Sequence, residues 1–311
     1  MTGASNVVRR LVTDQIEEIW GKGRTDLVDA NYAGDVRDHM PVPGQPTGRA
    51  ALKDVVDHFR SGIGDMAMDL HATLVAGDVG VDVWTLTGTH SRELLGMPAT
   101  GRSIAIAGID MVRVENGRIA DLWHVEEMAR LMEQVGAAPL DIGKPQETGA
   151  PFEPTRTASD VGAGAVVPGE ARFTMRERRN LALARRHIEE LWAGGRADLA
   201  HEIYHPDVVD HNPAPDQRPG IAGILDVLRW LREAVPDLAM RIECYVIDGE
   251  FACDRWVMTG THTGAPLMGV EAAGRSFAIN GMDVIRIDDD GLVTDVWHVE
   301  EFDRLLAQVR A

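Results

Sequence analysis

The chain has 311 residues and a formal net charge of −18, with an ordinary apolar fraction; that is long for one compact domain and enough for two that each bury a core. Its acidic excess is spread along the sequence, which argues against nucleic-acid backbones and anionic membrane surfaces as partners. No apolar run approaches the roughly 20 residues that cross a bilayer. The opening MTGASNVVRRLVTDQ lacks the apolar stretch and small-residue cleavage site of a secretory signal, so a cytoplasmic location is the expectation.

Taken in chain order, Ile16, Ile19 and Trp20 form one stripe of an amphipathic helix that ends at the Gly-rich break GKGRTD. A short helix follows, then a brief extended segment at Asp38-His39, a Pro/Gly loop and a helix over 49–61. Four strand-like stretches come next, near 66–76, 79–90, 102–115 and 118–126. Residues 139–175 are rich in Pro, Gly, Ala and Thr without sustained periodicity and read as a linker. Beyond it the plan starts again, with Ile188, Leu191 and Trp192 on a stripe and a helix over 221–234.

The second half is a copy of the first. Trp20 aligns with Trp192 at an offset of 172, as do Asp38-His39 with Asp210-His211, Gly48 with Gly220, Trp84 with Trp256, and TGTH (87–90) with TGTH (259–262). The offset grows to 173 at GRS (101–103 and 274–276) and to 174 at DLWHVEE (121–127) and DVWHVEE (295–301). The insertions fall where turns belong, as in a duplicated fold, and the period is far too long for a solenoid. Two domains are therefore expected, 1–138 and 176–311. Helices first and an antiparallel sheet afterwards make each α+β.

The two cysteines, Cys244 and Cys253, flank YVIDGEFA. A hairpin with its turn at Asp248-Gly249 would pair 247 with 250 and set the thiols opposite each other. A cytosolic chain favours reduced thiols, and the matching residues Ala72 and Val81 favour plain packing.

DHNPAPDQRPG (210–220), AVPDL (234–238), TGTH followed by GRS, SFAINGMDVIRI and DVWHVEEFDRLLAQV together resemble the SnoaL-like polyketide cyclase (ester cyclase) family, within the nuclear-transport-factor-2-like (NTF2-like) superfamily. The resemblance covers nearly all of both halves outside the linker. It is closer in the second, since the first has DHMPVPGQPTG and GIGDM at the matching places. It implies two tandem cone-shaped α+β barrels, each enclosing an apolar cavity, and catalysis without a metal or organic cofactor. Its members are frequently dimeric through the sheet, so an intramolecular pseudo-dimer of the copies is expected. The superfamily also holds isomerases, hydrolases and non-catalytic binders, so the fold does not settle the function.

Six histidines form three repeat-related pairs: His39 with His211, His90 with His262, and His124 with His298. By strand alternation Leu122, His124 and Glu126 share one face, and Asp121, Trp123 and Val125 the other. If the first face lines the cone, His124 and His298 point at a ligand while the tryptophans seal the outside. In cyclases of the family an aspartate on this strand is the acid/base, and an ungapped match puts His124 and His298 there, a departure from the pattern. Histidine suits the task, because its pKa of about 6.5 lets it take and return a proton near neutrality.

An enolate would need a hydrogen-bond donor, for which His90, His262 and Asn280 are candidates; Asp110 and Asp283 could orient an imidazole if they face inward. The catalytic set is thus His124, His298, Asp110 and Asp283. The expected substrate contacts are His39, His90, Trp84, Glu126, His211, His262, Trp256, Asn280 and Glu300. For His39 and His211 loop capping stays open, and Glu126 and Glu300 also suit the start of the last helix. Three histidines per copy also spell a zinc set, ranked below because the family is metal-free, so no metal is expected. Nucleophile-elbow, P-loop and dinucleotide motifs do not occur. Nor is the Asp-Arg-Asp arrangement of limonene-epoxide-hydrolase relatives evident, although Arg113 and Arg286 sit near the right strand. The leading expectation is proton transfer on a small, largely apolar carbonyl compound, as in aldol-type cyclisation or isomerisation. A binding or sensing protein and an epoxide or ester hydrolase are the alternatives.

Overall fold

The computed structural model describes residues 3–41, 45–136 and 165–310. The chain divides into two units, Met1–Leu140 and Asp141–Ala311. In the first, α1 (Gly3–Asp14) buries Val8, Leu11 and Val12 and runs directly into a π-helical turn, Gln15–Trp20, that buries Gln15, Ile16 and Ile19. The amide of Gly21 donates to the carbonyl of Ile16, five residues back. A short α2 (Val28–Asn31) leads into β1 (Tyr32–Asp38), followed by α3 (Arg49–Gly62). The meander β2 (Ile63–Ala76), β3 (Val79–His90), β4 (Ser103–Glu115) and β5 (Arg118–Glu126) comes next, and α4 (Met128–Val135) closes the unit.

The sheet order is β1-β5-β4-β3-β2, with β1 parallel to β5 and every other pair antiparallel. Asn116 and Gly117, both at positive φ (51° and 75°), make the tight β4–β5 turn, the Asn-Gly chemistry that hairpins favour. One face of the sheet carries the core: Val8, Leu11, Val12 and Ile19 pack with Val112 and Leu122, and Ile16 and Phe59 with Trp84, Leu86, Ile104 and Ile106. Gly80 lets the helix come close, since a Cβ there would press into Val8 and Val12.

The second unit repeats this plan with α5 (Met175–Arg185), a π-helical turn (Arg186–Trp192), α6 (Ala200–Ile203), β6 (Tyr204–Asp210), α7 (Gly220–Ala234), β7 (Ala239–Asp248), β8 (Phe251–His262), β9 (Arg275–Ile287), β10 (Val293–Glu300) and α8 (Phe302–Arg310). Its sheet order is β6-β10-β9-β8-β7. Thr174 caps α5 in a reciprocal capping box with Glu177, satisfying amides that have no partner inside the helix.

Two expectations need correction here. Much of the linker read from composition, 139–164, lies outside the described residues, but 165–173 are part of the second unit. The amide of Val166 donates to the Glu243 carbonyl and the Tyr245 amide donates to the Val166 carbonyl, at 2.9 and 2.8 Å, and Phe173 is buried in the core; apolar side chains in a Pro/Gly-rich stretch are enough to dock it. The hairpin turn is also one residue later than expected. Gly249 takes a positive φ and Asp248 pairs with Phe251, so Cys253 faces Val246 and Cys244 faces Arg255. Both thiols are free and buried.

Candidate active site

The covered face of each sheet presents two successive rungs of polar side chains. In the first unit Asp82, Asp110 and His124 pair across β3, β4 and β5, and the next rung in the same direction is Trp84, Gly108 and Glu126. In the second, Asp254, Asp283 and His298 form one rung and Trp256, Gly281 and Glu300 the other. Residues two apart on a strand share a face, so Glu126 and Glu300 stand directly beside the histidines.

His124 is clasped by two carboxylates: Nε2 lies 3.0 Å from Asp38 Oδ1 and Nδ1 lies 2.5 Å from Glu126 Oε1. His298 repeats this with Asp210 at 3.1 Å and Glu300 at 2.8 Å. The parallel β1–β5 pairing brings Asp38 alongside, its Cα partner being Leu122. Asp38 is itself fixed by the Met40 amide and the Gln45 side chain, and Asp210 by the Asn212 amide and Gln217.

Burial alone would push both imidazoles toward the neutral form, but the adjacent carboxylates outweigh it. Glu126 and Asp38 raise His124, and Glu300 and Asp210 raise His298, well above the ordinary histidine value. At neutral pH each imidazole is therefore a proton-bearing cation, while 16% and 23% of the two side chains remain exposed to solvent. Asp38 and Asp210 are held below the usual carboxylate range, the imidazolium outweighing the effect of burial. Burial raises Glu300.

Beneath the histidines lies a second group. Asp82 and Asp110 are 0% and 5% exposed, and neither oxygen of Asp82 has a hydrogen-bond partner. Asp110 accepts from the Gln15 side chain, whose carbonyl accepts from Tyr32 Oη at 2.7 Å. Burial pushes Asp110 up to about 7, and burial together with Asp110 pushes Asp82 well above the ordinary value, so the pair retains a proton. In the second unit His187 stands where Gln15 does. Its Nδ1 meets Tyr204 Oη at 3.0 Å, its Nε2 is 3.6 Å from Asp283 Oδ2, and Asp254 beside it is fully buried.

The sequence profile of the family described as SnoaL-like polyketide cyclase matches residues 10–135 and 182–309. The chain belongs to this family. Among solved structures, TsrD from Streptomyces laurentii is 25% identical over 43% of this chain and 97% of its own, with a TM-score of 0.40. IdmH from Streptomyces antibioticus is 25% identical over 44% of this chain and 100% of its own, with a TM-score of 0.37. A SnoaL-like polyketide cyclase from Agrobacterium tumefaciens is 14% identical over 44% and 100%, with a TM-score of 0.36. No curated protein matches the chain.

Within this SnoaL-like frame the predicted residues divide. His124, Asp110, Glu126 and Trp84 come together on one face, as do His298, Asp283, Glu300 and Trp256. His39 and His211 do not join them. Their rings stack on the outward tryptophans Trp123 and Trp297, at 4.5 Å and 4.2 Å between centroids, and bond Asp121 and Asp295. Each follows the last residue of its strand and falls on the opposite face.

His90 and His262 are eight residues along β3 and β8 from the buried aspartates, on the order of 26 Å of strand. They bond locally, to Thr100 Oγ1 and to the Ala265 carbonyl. Asn280 alternates away from Gly281 and donates to Glu301 at 2.8 Å. None of the three can hold an enolate oxygen beside His124 or His298, and the three-histidine metal set does not converge. Arg113 is spent on Asp121 and Glu115, and Arg286 bonds Glu250.

Sequence reading passed over Asp38 and Asp210, Asp82 and Asp254, Tyr32 and Tyr204, and Gln15 with His187. The first three pairs recur at the repeat offset, and that signal was available. Gln15 and His187 differ between copies and gave none.

Proposed function

We propose that each unit transfers a proton on a small, largely apolar carbonyl compound bound against the covered face of its sheet, in an aldol-type cyclisation or isomerisation. The observation that carries this reading is the imidazole clasped by two carboxylates, present in both units. Because the clasp keeps His124 and His298 protonated, the imidazolium acts first as the acid at the substrate oxygen. A neighbouring carboxylate takes the carbon-bound proton; Glu300, raised by burial, is the stronger base of the two in its clasp. The carboxylate then delivers the abstracted proton to the new carbon position in isomerisation, or to the alkoxide formed with the new C–C bond in cyclisation. The enol oxygen returns its proton to the histidine, so both groups are restored.

The purified chain is incubated with an aromatic-polyketide library, and bound and altered compounds are identified by mass spectrometry in ordinary and oxygen-labelled water. Turnover should fall about 10²–10⁴-fold in the His124→Ala/His298→Ala double variant, with compounds still bound. Unchanged turnover in that variant overturns the assignment. A ligand recovered unaltered from the native chain makes it a binding protein, and label in the product makes it a hydrolase.

A further inference from the structure

We propose that the second unit carries a divalent transition-metal site formed by His187, Asp254 and Asp283. The three side chains come from the π-helical turn, β8 and β9, and one ligand atom of each lies within 4.8 Å of the other two. They are 0%, 0% and 6% exposed. Both oxygens of Asp254 and the Nε2 of His187 have no hydrogen-bond partner, and 3.6 Å from Nε2 to Asp283 Oδ2 is too long for a hydrogen bond. Buried carboxylates converging on an open imidazole nitrogen are costly unless a cation or protons occupy the space between them.

The outer partners support a metal ligand. His187 Nδ1 lies 3.0 Å from Tyr204 Oη, which also accepts from Trp192 Nε1 at 3.2 Å. A hydroxyl oxygen has two lone pairs, so it can accept from both nitrogens. Nε2 then keeps its lone pair for the carboxylate side, the orientation that a second hydrogen bond imposes on metal-bound histidines.

The first unit supplies an internal comparison. Gln15 occupies the same place, its amide donating to Asp110 and accepting from Tyr32, while Asp82 is as unpartnered as Asp254. No imidazole nitrogen is presented there, so the site belongs to the second unit alone. One imidazole with two carboxylates suits Zn²⁺, Co²⁺ or Mn²⁺, whereas Mg²⁺ prefers oxygen ligands and keeps its waters. Asp283 pairs across the strands with His298, so an ion held here would lie next to the proposed acid. The site itself does not depend on the proton-transfer reading.

The test uses the full chain, stripped with a chelator and titrated with Co²⁺, followed by its visible d–d absorption, and with Zn²⁺ by calorimetry. One ion should bind per chain. His187→Gln, which installs the first unit's residue, and Asp254→Asn should each weaken binding by more than the roughly 10–100-fold expected of Tyr204→Phe, which removes only an outer partner. If His187→Gln fails to fold by circular dichroism, the near-isosteric Asp254→Asn decides alone. No binding by the native chain, or equal binding by native, His187→Gln and Asp254→Asn, overturns the proposal.

Discussion

Replacing Gly108 with alanine should destabilise the first unit by about 2 kcal/mol, and the indole of Trp84 is the cause. Gly108 is the middle of the rung Trp84, Gly108, Glu126, and the tryptophan ring lies flat over it. A Cβ built there meets Cη2 at 2.5 Å and Cε2 at 2.6 Å, with Cζ2 closer still. Carbon atoms pack best at about 3.5–4.0 Å, so the ring must withdraw by about 1 Å or more. Trp84 is 6% exposed and surrounded by core, which leaves nowhere to go without off-rotamer strain.

For a unit of this size 2 kcal/mol corresponds to a melting shift of about 8 °C. Urea unfolding followed by far-UV circular dichroism reads it directly. Gly34→Ala, where a Cβ meets nothing within 4 Å, is the control and should stay within about 0.5 kcal/mol. Trp84→Phe removes the offending ring, so the Gly108→Ala/Trp84→Phe double variant should lose less than the sum of the single losses by about 1 kcal/mol. A Gly108→Ala variant as stable as the control, or strict additivity in the cycle, would refute the packing argument. The same cycle applies to Gly281 and Trp256.

Three further outcomes follow from the charges. Asp82 and Asp110 are raised in the folded chain, Asp110 to about 7, so above about pH 4 the native state binds more protons than the unfolded one and stability falls toward pH 7. Asp82→Asn should flatten that decline in urea titrations at several pH values, and parallel slopes for native and variant would contradict it. His124 is raised, so its contribution is complete below its unfolded pKa of about 6.5 and is lost as pH climbs through the higher folded value. Asp38→Asn should move that loss to lower pH, and imidazole NMR titration should show His124 releasing its proton earlier; an unmoved midpoint removes Asp38 from the clasp. Burial pushes the Cys253 thiol well above its ordinary value, so native Cys253 should resist iodoacetamide until the chain is unfolded, and rapid labelling of the native chain would argue against its packing.

Most of the meander was legible because alternation is a local signal: the strands expected near 79–90 and 118–126 are β3 and β5. What escaped depends on partners distant in sequence. The short extended piece at Asp38 proved to be a seven-residue strand, Tyr32–Asp38, parallel to β5, and only that pairing shows that Asp38, not His39, reaches His124. Parity places Asp82 on the face of Trp84, yet a carboxylate in a strand reads as solvent-facing until its full burial is seen. Gln15 was illegible for another reason. Helical spacing assumes 3.6 residues per turn, and the segment Gln15–Trp20 does not keep it.

That widened turn makes the match between turn width and residue count, rather than composition, the sensitive variable. An i to i+5 turn accommodates one more residue than an α-turn, and both copies have it at the same point, ahead of Trp20 and Trp192. Losing one residue between 15 and 20 together with the wide turn would leave the helix before it in nearly the same phase, but straightening the turn with every residue kept would rotate that helix by about 100°. Val8, Leu11 and Val12 would swing off the sheet, and the side chain now touching Asp110 would point elsewhere. The stretch therefore works as a phase setter: individual side chains in it can change, as glutamine and histidine have between the copies, but with this residue count the turn must stay wide.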